Sequence, residues 1–119
     1  MSAYIIAFVD IHDHTRFAQD YVPPVAATME PFGGRLVAAS DETTLLEGSV
    51  PPGRTVLLEF PDLDSARRWY ASEAYAPLLT IRHATSDPRF VVMTRSGAMP
   101  ASARARIASY WRARRASSH

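Results

Sequence analysis

The sequence predicts an α+β domain of order βαββαβ, with one antiparallel four-stranded sheet and an extra C-terminal helix. Three observations predict it. Four stretches carry the β-branched and aromatic residues of strands: Ala3 to Ile11, Arg35 to Ser40, Thr55 to Phe60 and Arg89 to Arg95. Helical stretches with one apolar face separate the first strand from the second and the third from the fourth. The two middle strands are joined by Gly48-Ser49-Val50-Pro51-Pro52-Gly53, too rich in proline and glycine for anything but a hairpin loop.

The first strand, AYIIAFVDI, is apolar on both faces as far as Asp10, so both faces are expected to be covered. His12-Asp13-His14-Thr15 turns the chain into the first helix, with Asp13 as N-cap. That helix is expected from about His14 to Glu30, because Phe17, Tyr21, Val25 and Met29 recur at four-residue steps. Pro23-Pro24 falls inside the pattern and is expected to kink or restart it. Gly33-Gly34 ends it, since glycine tolerates the positive φ of a helix terminus. Arg35 to Ser40 is the second strand; Asp41 and Glu42 are expected to bulge it before Thr43 to Glu47 continues.

The stretch Arg54 to Arg82 organises the rest. Val56, Leu58 and Phe60 share one face of its strand; Thr55, Leu57 and Glu59 share the other. Pro61 cannot donate to a sheet ladder, so the strand stops there. Asp62 or Asp64 supplies the next N-cap. Leu63, Ala66, Trp69 and Tyr70 then fall on one helical face, leaving Asp64, Arg67 and Arg68 to solvent. Core packing suits Trp69 and Tyr70; so does the wall of a pocket, because each joins a large apolar area to a polar tip. A second helical piece ends on Arg82 and His83. Asp87-Pro88 is expected to break the chain before the last strand.

Residues 96–100 read as a linker, with Pro100 suited to a first helical position. Ala101 to Arg115 is rich in helix formers. Ala103, Ile107, Tyr110 and Trp111 line one narrow face, bordered by Arg104, Arg106, Arg112, Arg114 and Arg115. So thin a stripe does not hold an isolated helix, and it should pack on the body or across a dimer.

The 119 residues suit one domain, and 47% hydrophobic content suits a real core. No cysteine is present, which excludes disulfides and thiolate ligands. The first twenty residues carry neither a basic region nor a long apolar run, so a cytoplasmic protein without signal peptide or membrane span is expected. The net charge of +1 conceals an asymmetry: residues 1–99 hold all twelve acids and eight arginines, residues 100–119 five arginines and no acid. A basic tail can mean nucleic acid. Here no binding motif accompanies it, and a tail docked on an acidic body, its own or a partner's, is the simpler account.

The chemistry on offer is limited. His12 and His14, with Asp10 and Asp13, make the run DIHDH, but a divalent-metal site wants three convergent ligands and a capped, solvated turn explains the same residues. No metal is expected. No serine sits in a nucleophile elbow and no glycine-rich loop follows a strand. The remaining candidates describe an aromatic pocket with a few polar groups, the usual composition of a small-molecule site. Tyr21, Arg35, Trp69, Tyr75 and Arg82 are its candidate binding residues. A buried arginine would match a carboxylate; alternatively Arg35 or Arg82 pairs with Glu59 or Glu73 to hold the fold. His12, oriented by Asp10, and His83 are the candidate catalytic acid–base groups, against the plain reading of exposed histidines at element ends.

Four runs also carry a resemblance: GGRLV at Gly33 to Val37, LEG at Leu46 to Gly48, LEFPD at Leu58 to Asp62 and ARRWYASEAYAPLLTIR at Ala66 to Arg82. They resemble the bacterial domain-of-unknown-function family 1330 of the dimeric α/β-barrel superfamily. The resemblance spans about residues 3–95 and implies a ferredoxin-like domain over residues 1–96, with residues 97–119 as a basic helical extension. It also implies a homodimer. Small monooxygenases and lactone isomerases share the superfamily, as do chlorite-dismutase-like proteins, whose haem would need an axial histidine; His83, at a helix end, suits a C-terminal cap better, and no cofactor is expected. Two functions follow. One is an enzyme acting on an aromatic or carboxylated metabolite in a pocket between sheet and helices, by proton transfer or cofactor-free oxygen chemistry. The other is a non-catalytic dimeric small-molecule-binding protein. A small-molecule ligand is expected as partner in either case, and neither nucleic acid nor membrane.

Overall fold

The computed structural model describes residues 2–49, 53–97 and 101–116. Four antiparallel strands form one sheet in the order β2-β3-β1-β4, with β1 Ala3–Ile11, β2 Arg35–Ser40, β3 Arg54–Phe60 and β4 Ser86–Arg95. This is the strand order of a ferredoxin-like βαββαβ unit. Along β1 the residues Ala3, Ile5, Ala7 and Val9 are buried and those between them are half-buried or exposed. Ile5 stands opposite Leu58 and Ala7 opposite Val56, so these side chains share the face that meets the helices. Tyr4, Ile6 and Phe8 share the other face with Glu59, Leu57 and Thr55, their partners on β3.

The first helical passage begins where expected. Asp13 accepts a hydrogen bond from the Arg16 amide at 3.1 Å and caps α1, His14–Arg16. Around the two prolines the helical passage is irregular rather than interrupted. A π turn, Phe17–Tyr21, intervenes before α2, Val22–Met29, and the Val22 amide bonds back to the Phe17 carbonyl. The prolines then occupy the first turn of α2, where a missing amide costs least. A 3-10 turn, Glu30–Phe32, ends at Gly33 with φ 71°.

Asp62, not Asp64, caps α3, Leu63–Tyr70, accepting from the Ser65 amide at 2.7 Å. Trp69 is 1% exposed and Ala66 is wholly buried. The next helix, α4, Ala76–Thr85, runs two residues past His83. Its last turn is tied by hydroxyls, Thr85 donating to the Ile81 carbonyl at 2.8 Å and Ser86 to that of Arg82 at 2.6 Å.

Three strand expectations are corrected. Asp87-Pro88 does not precede β4 but lies within it, Pro88 opposite Val9 at an irregularity in register; an edge strand tolerates the lost donor. Thr43 to Glu47 is not a strand, although the Thr43 and Thr55 hydroxyls still meet at 2.9 Å. The irregularity in β2 falls between Leu36 and Ala38 rather than at Asp41 and Glu42.

Residues 101–116 form α5, Ala101–Ala116. Ile107, Tyr110 and Trp111 are exposed on it, so the expected packing of this stripe on the body is not seen. Expectations for loop residues 50–52, linker residues 98–100, the Arg104 side chain and residues 117–119 lie outside the described residues.

Candidate functional site

Between the helix-facing side of the sheet and the helices lies a cavity of about 140 Å³. Its floor is the apolar row Ile5, Ala7, Val56, Leu58 and Val91, with Leu36 and Ala39 from the edge strand. Its walls are Phe17 and Tyr21 from the π turn, Val25 and Met29 from α2, Trp69 and Tyr70 from the end of α3, Tyr75, and Arg82 from α4.

Each aromatic is held by its neighbours. The Trp69 indole N–H donates to the Thr28 hydroxyl at 3.0 Å, which in turn donates to the Val25 carbonyl at 2.7 Å. Its ring lies 5.4 Å from Phe60 and 4.1 Å from Tyr75, both tilted. Ser72 makes the turn between α3 and α4. Its hydroxyl donates to the Trp69 carbonyl at 2.7 Å and accepts from the Tyr75 amide at 3.2 Å, which fixes where Tyr75 begins the next helix. Tyr21 stacks on Phe17 at 4.8 Å, and its hydroxyl meets that of Tyr75 at 2.7 Å.

Burial pushes both phenols up from their ordinary value. The charge of Arg82 pulls the other way, more weakly. Near neutral pH the pair is therefore protonated, and its hydroxyls act as hydrogen-bonding groups. Arg82 is 5% exposed. Its Nη2 donates to the Tyr70 hydroxyl at 3.2 Å, and its Nε has no hydrogen-bond partner.

Four of the expected site residues therefore converge: Tyr21, Trp69, Tyr75 and Arg82 all line the cavity. Arg35 does not. It stands on the opposite face of the sheet, ion-paired to Glu59 at 2.6 Å, and Tyr4 donates to the same carboxylate at 3.0 Å. Neither expected catalytic histidine lines the cavity either. His83 follows Arg82 on a helix and so points about 100° away from it; with Arg82 buried, His83 is exposed. His12 is exposed beyond the end of β1, and Asp10 does not orient it but pairs with Arg89 at 2.9 Å. Arg54 is a cavity residue that sequence reasoning missed. Its parity with Val56 and Leu58 is the signal that finds it. It also pairs with Asp41 at 3.2 Å and lies over the Phe17 ring. Among the described residues no three His, Cys, Asp or Glu side chains converge as metal ligands, and no helix is long and apolar enough to cross a membrane.

Residues 2–96 match the family model described as Domain of unknown function (DUF1330). Among curated proteins none matches the chain. Solved structures share the fold. A protein of unknown function from Rhodopseudomonas palustris superposes with TM-score 0.67 at 14% identity, over 82% of this chain and 84% of that one. SnoaB, a cofactor-independent oxygenase from Streptomyces nogalater, gives 0.52 at 19% identity, over 84% and 97%. An antibiotic biosynthesis monooxygenase gives 0.52 at 17% identity, over 84% and 100%.

Proposed function

From the premise that this chain belongs to the DUF1330 family and folds as a ferredoxin-like unit, we propose that it takes an aromatic or carboxylated metabolite into the cavity between sheet and helices. It then acts on that metabolite by proton transfer or cofactor-free oxygen chemistry. The observation that carries this reading is the Tyr21–Tyr75 hydroxyl pair in a largely apolar cavity that Arg82 also lines. Apolar walls with a few convergent polar groups are the ordinary make-up of a small-molecule site. Two neighbours in fold, a cofactor-independent oxygenase and a monooxygenase, support the oxygen-chemistry branch. In this reading residues 1–96 are the working unit and residues 97–119 a basic extension.

A thermal-shift screen against a metabolite library, followed by turnover and oxygen-uptake assays on the hits, tests it. Stabilising hits that are converted support the reading. A library without a single stabilising compound contradicts it. The exposure of His12 and His83 favours a second reading, a non-catalytic binding protein, which predicts stabilising hits that come back unchanged.

The working form in either case is a homodimer built on the second face of the sheet. Ile6, Leu57 and Val92 share one row of that face, and Phe8 stacks on Phe90 at 5.5 Å. A second copy would cover this apolar area isologously. Light scattering should return twice the 13.2 kDa chain mass, and truncation after Gly97 should weaken the association. A monomer at high protein concentration contradicts the dimer.

A further inference from the structure

Arg82 differs from the ion-paired arginines of the fold. Arg16, Arg35, Arg54, Arg68 and Arg89 each meet a carboxylate, and each is at least partly open to solvent. Arg82 is the buried one, and among the described residues no carboxylate meets it. Among the described residues its side-chain hydrogen-bond partner is a hydroxyl, that of Tyr70, and its Nε is unsatisfied. A guanidinium stays charged in a protein. A buried charge without a counter-ion is costly, and folded proteins pair such groups. Arg82 lines the cavity, as do Tyr21, Tyr70, Tyr75 and Arg54, the last already paired with Asp41.

The size of the cavity narrows the ligand further. At about 140 Å³ it is close to the roughly 150 Å³ apolar cavity that accommodates a benzene ring. The half-buried Tyr21 and Tyr70 bring aromatic surface to the lining, and Ile5, Ala7 and Val56 bring apolar floor. Resting on the small-molecule reading above, we infer that the cavity takes a single-ring carboxylate whose anionic group is the missing counter-ion of Arg82. The planar fork of the guanidinium matches a carboxylate in shape and charge. The Tyr21–Tyr75 pair, with one hydroxyl proton left over after its mutual hydrogen bond, supplies a further donor to a polar ring substituent.

Calorimetric titration of the full chain at neutral pH with benzoate, benzamide and 2-naphthoate tests this. Benzoate should bind about tenfold or more tightly than benzamide, the scale of a charge-assisted hydrogen bond, and 2-naphthoate should bind less well than benzoate. Arg82→Gln should reduce benzoate to the level of benzamide while benzamide is little changed. If that variant fails to fold, the wild-type comparison of benzoate with benzamide decides alone. Equal affinity for the acid and the amide overturns the anionic assignment and leaves the small-molecule cavity standing. Tighter binding of 2-naphthoate overturns the single-ring limit. Failure of all three probes overturns the inference, and the library screen then decides separately whether the cavity binds anything.

Discussion

Tyr21 and Tyr75, 54 residues apart in sequence, meet hydroxyl to hydroxyl at 2.7 Å across the cavity. The first rides on a π turn, the second on the turn built by Ser72, so this hydrogen bond ties the first helical passage to the second. Tyr21→Phe and Tyr75→Phe should each cost about 1–2 kcal/mol in chemical denaturation, because each leaves the other hydroxyl short of its partner. The double variant should cost less than the two added together. Strictly additive losses would mean that the two hydroxyls do not depend on each other.

The same pair sets an alkaline limit. Burial raises both phenols in the fold above their unfolded value near 10. A raised value means stability is fully present below the unfolded value and lost as pH rises toward the folded one. The unfolding midpoint should therefore fall as pH climbs above about 10, and the double phenylalanine variant should fall less steeply. Parallel pH profiles for the two proteins would contradict the assignment.

Trp69 packs between Phe60 and Tyr75 and is 1% exposed. Trp69→Ala should cost about 3–5 kcal/mol, the range for deleting a large buried aromatic. Trp69→Phe, which keeps a ring but loses the bond to Thr28, should cost clearly less. An unchanged denaturation midpoint for the alanine variant would show that the indole contributes nothing to the core.

Arg82 predicts the opposite sign. Replacing an unpaired buried charge with an apolar side chain of similar length removes a desolvation penalty. Arg82→Met should be at least as stable as wild type in the absence of ligand, by thermal or chemical denaturation. A marked loss of stability would make Arg82 a structural residue and remove the case for a ligand counter-ion.

How far the sequence reaches is visible in particular residues. The strands announce themselves through β-branched runs, and Trp69 announces its burial through its spacing from Ala66. Tyr21 and Tyr75 are legible as aromatics on helix faces, but their meeting is not: it depends on how two segments pack. The π turn is invisible because a proline pair reads as a kink or restart, whereas a shifted hydrogen bond upstream accommodates it. Arg35 and Arg82 look alike in sequence. Strand register sends the first to the face of Glu59, and helix phase sends the second to the cavity and His83 to solvent. A local pattern gives the face; only the packed structure tells which face holds the space.

The most direct measurement is a crystal structure of the chain grown with saturating benzoate. It should show the ring inside the cavity, with the carboxylate within hydrogen-bond distance of the Arg82 guanidinium. Benzoate found elsewhere, or a cavity closed by side chains with Arg82 turned to a protein carboxylate, would contradict the account.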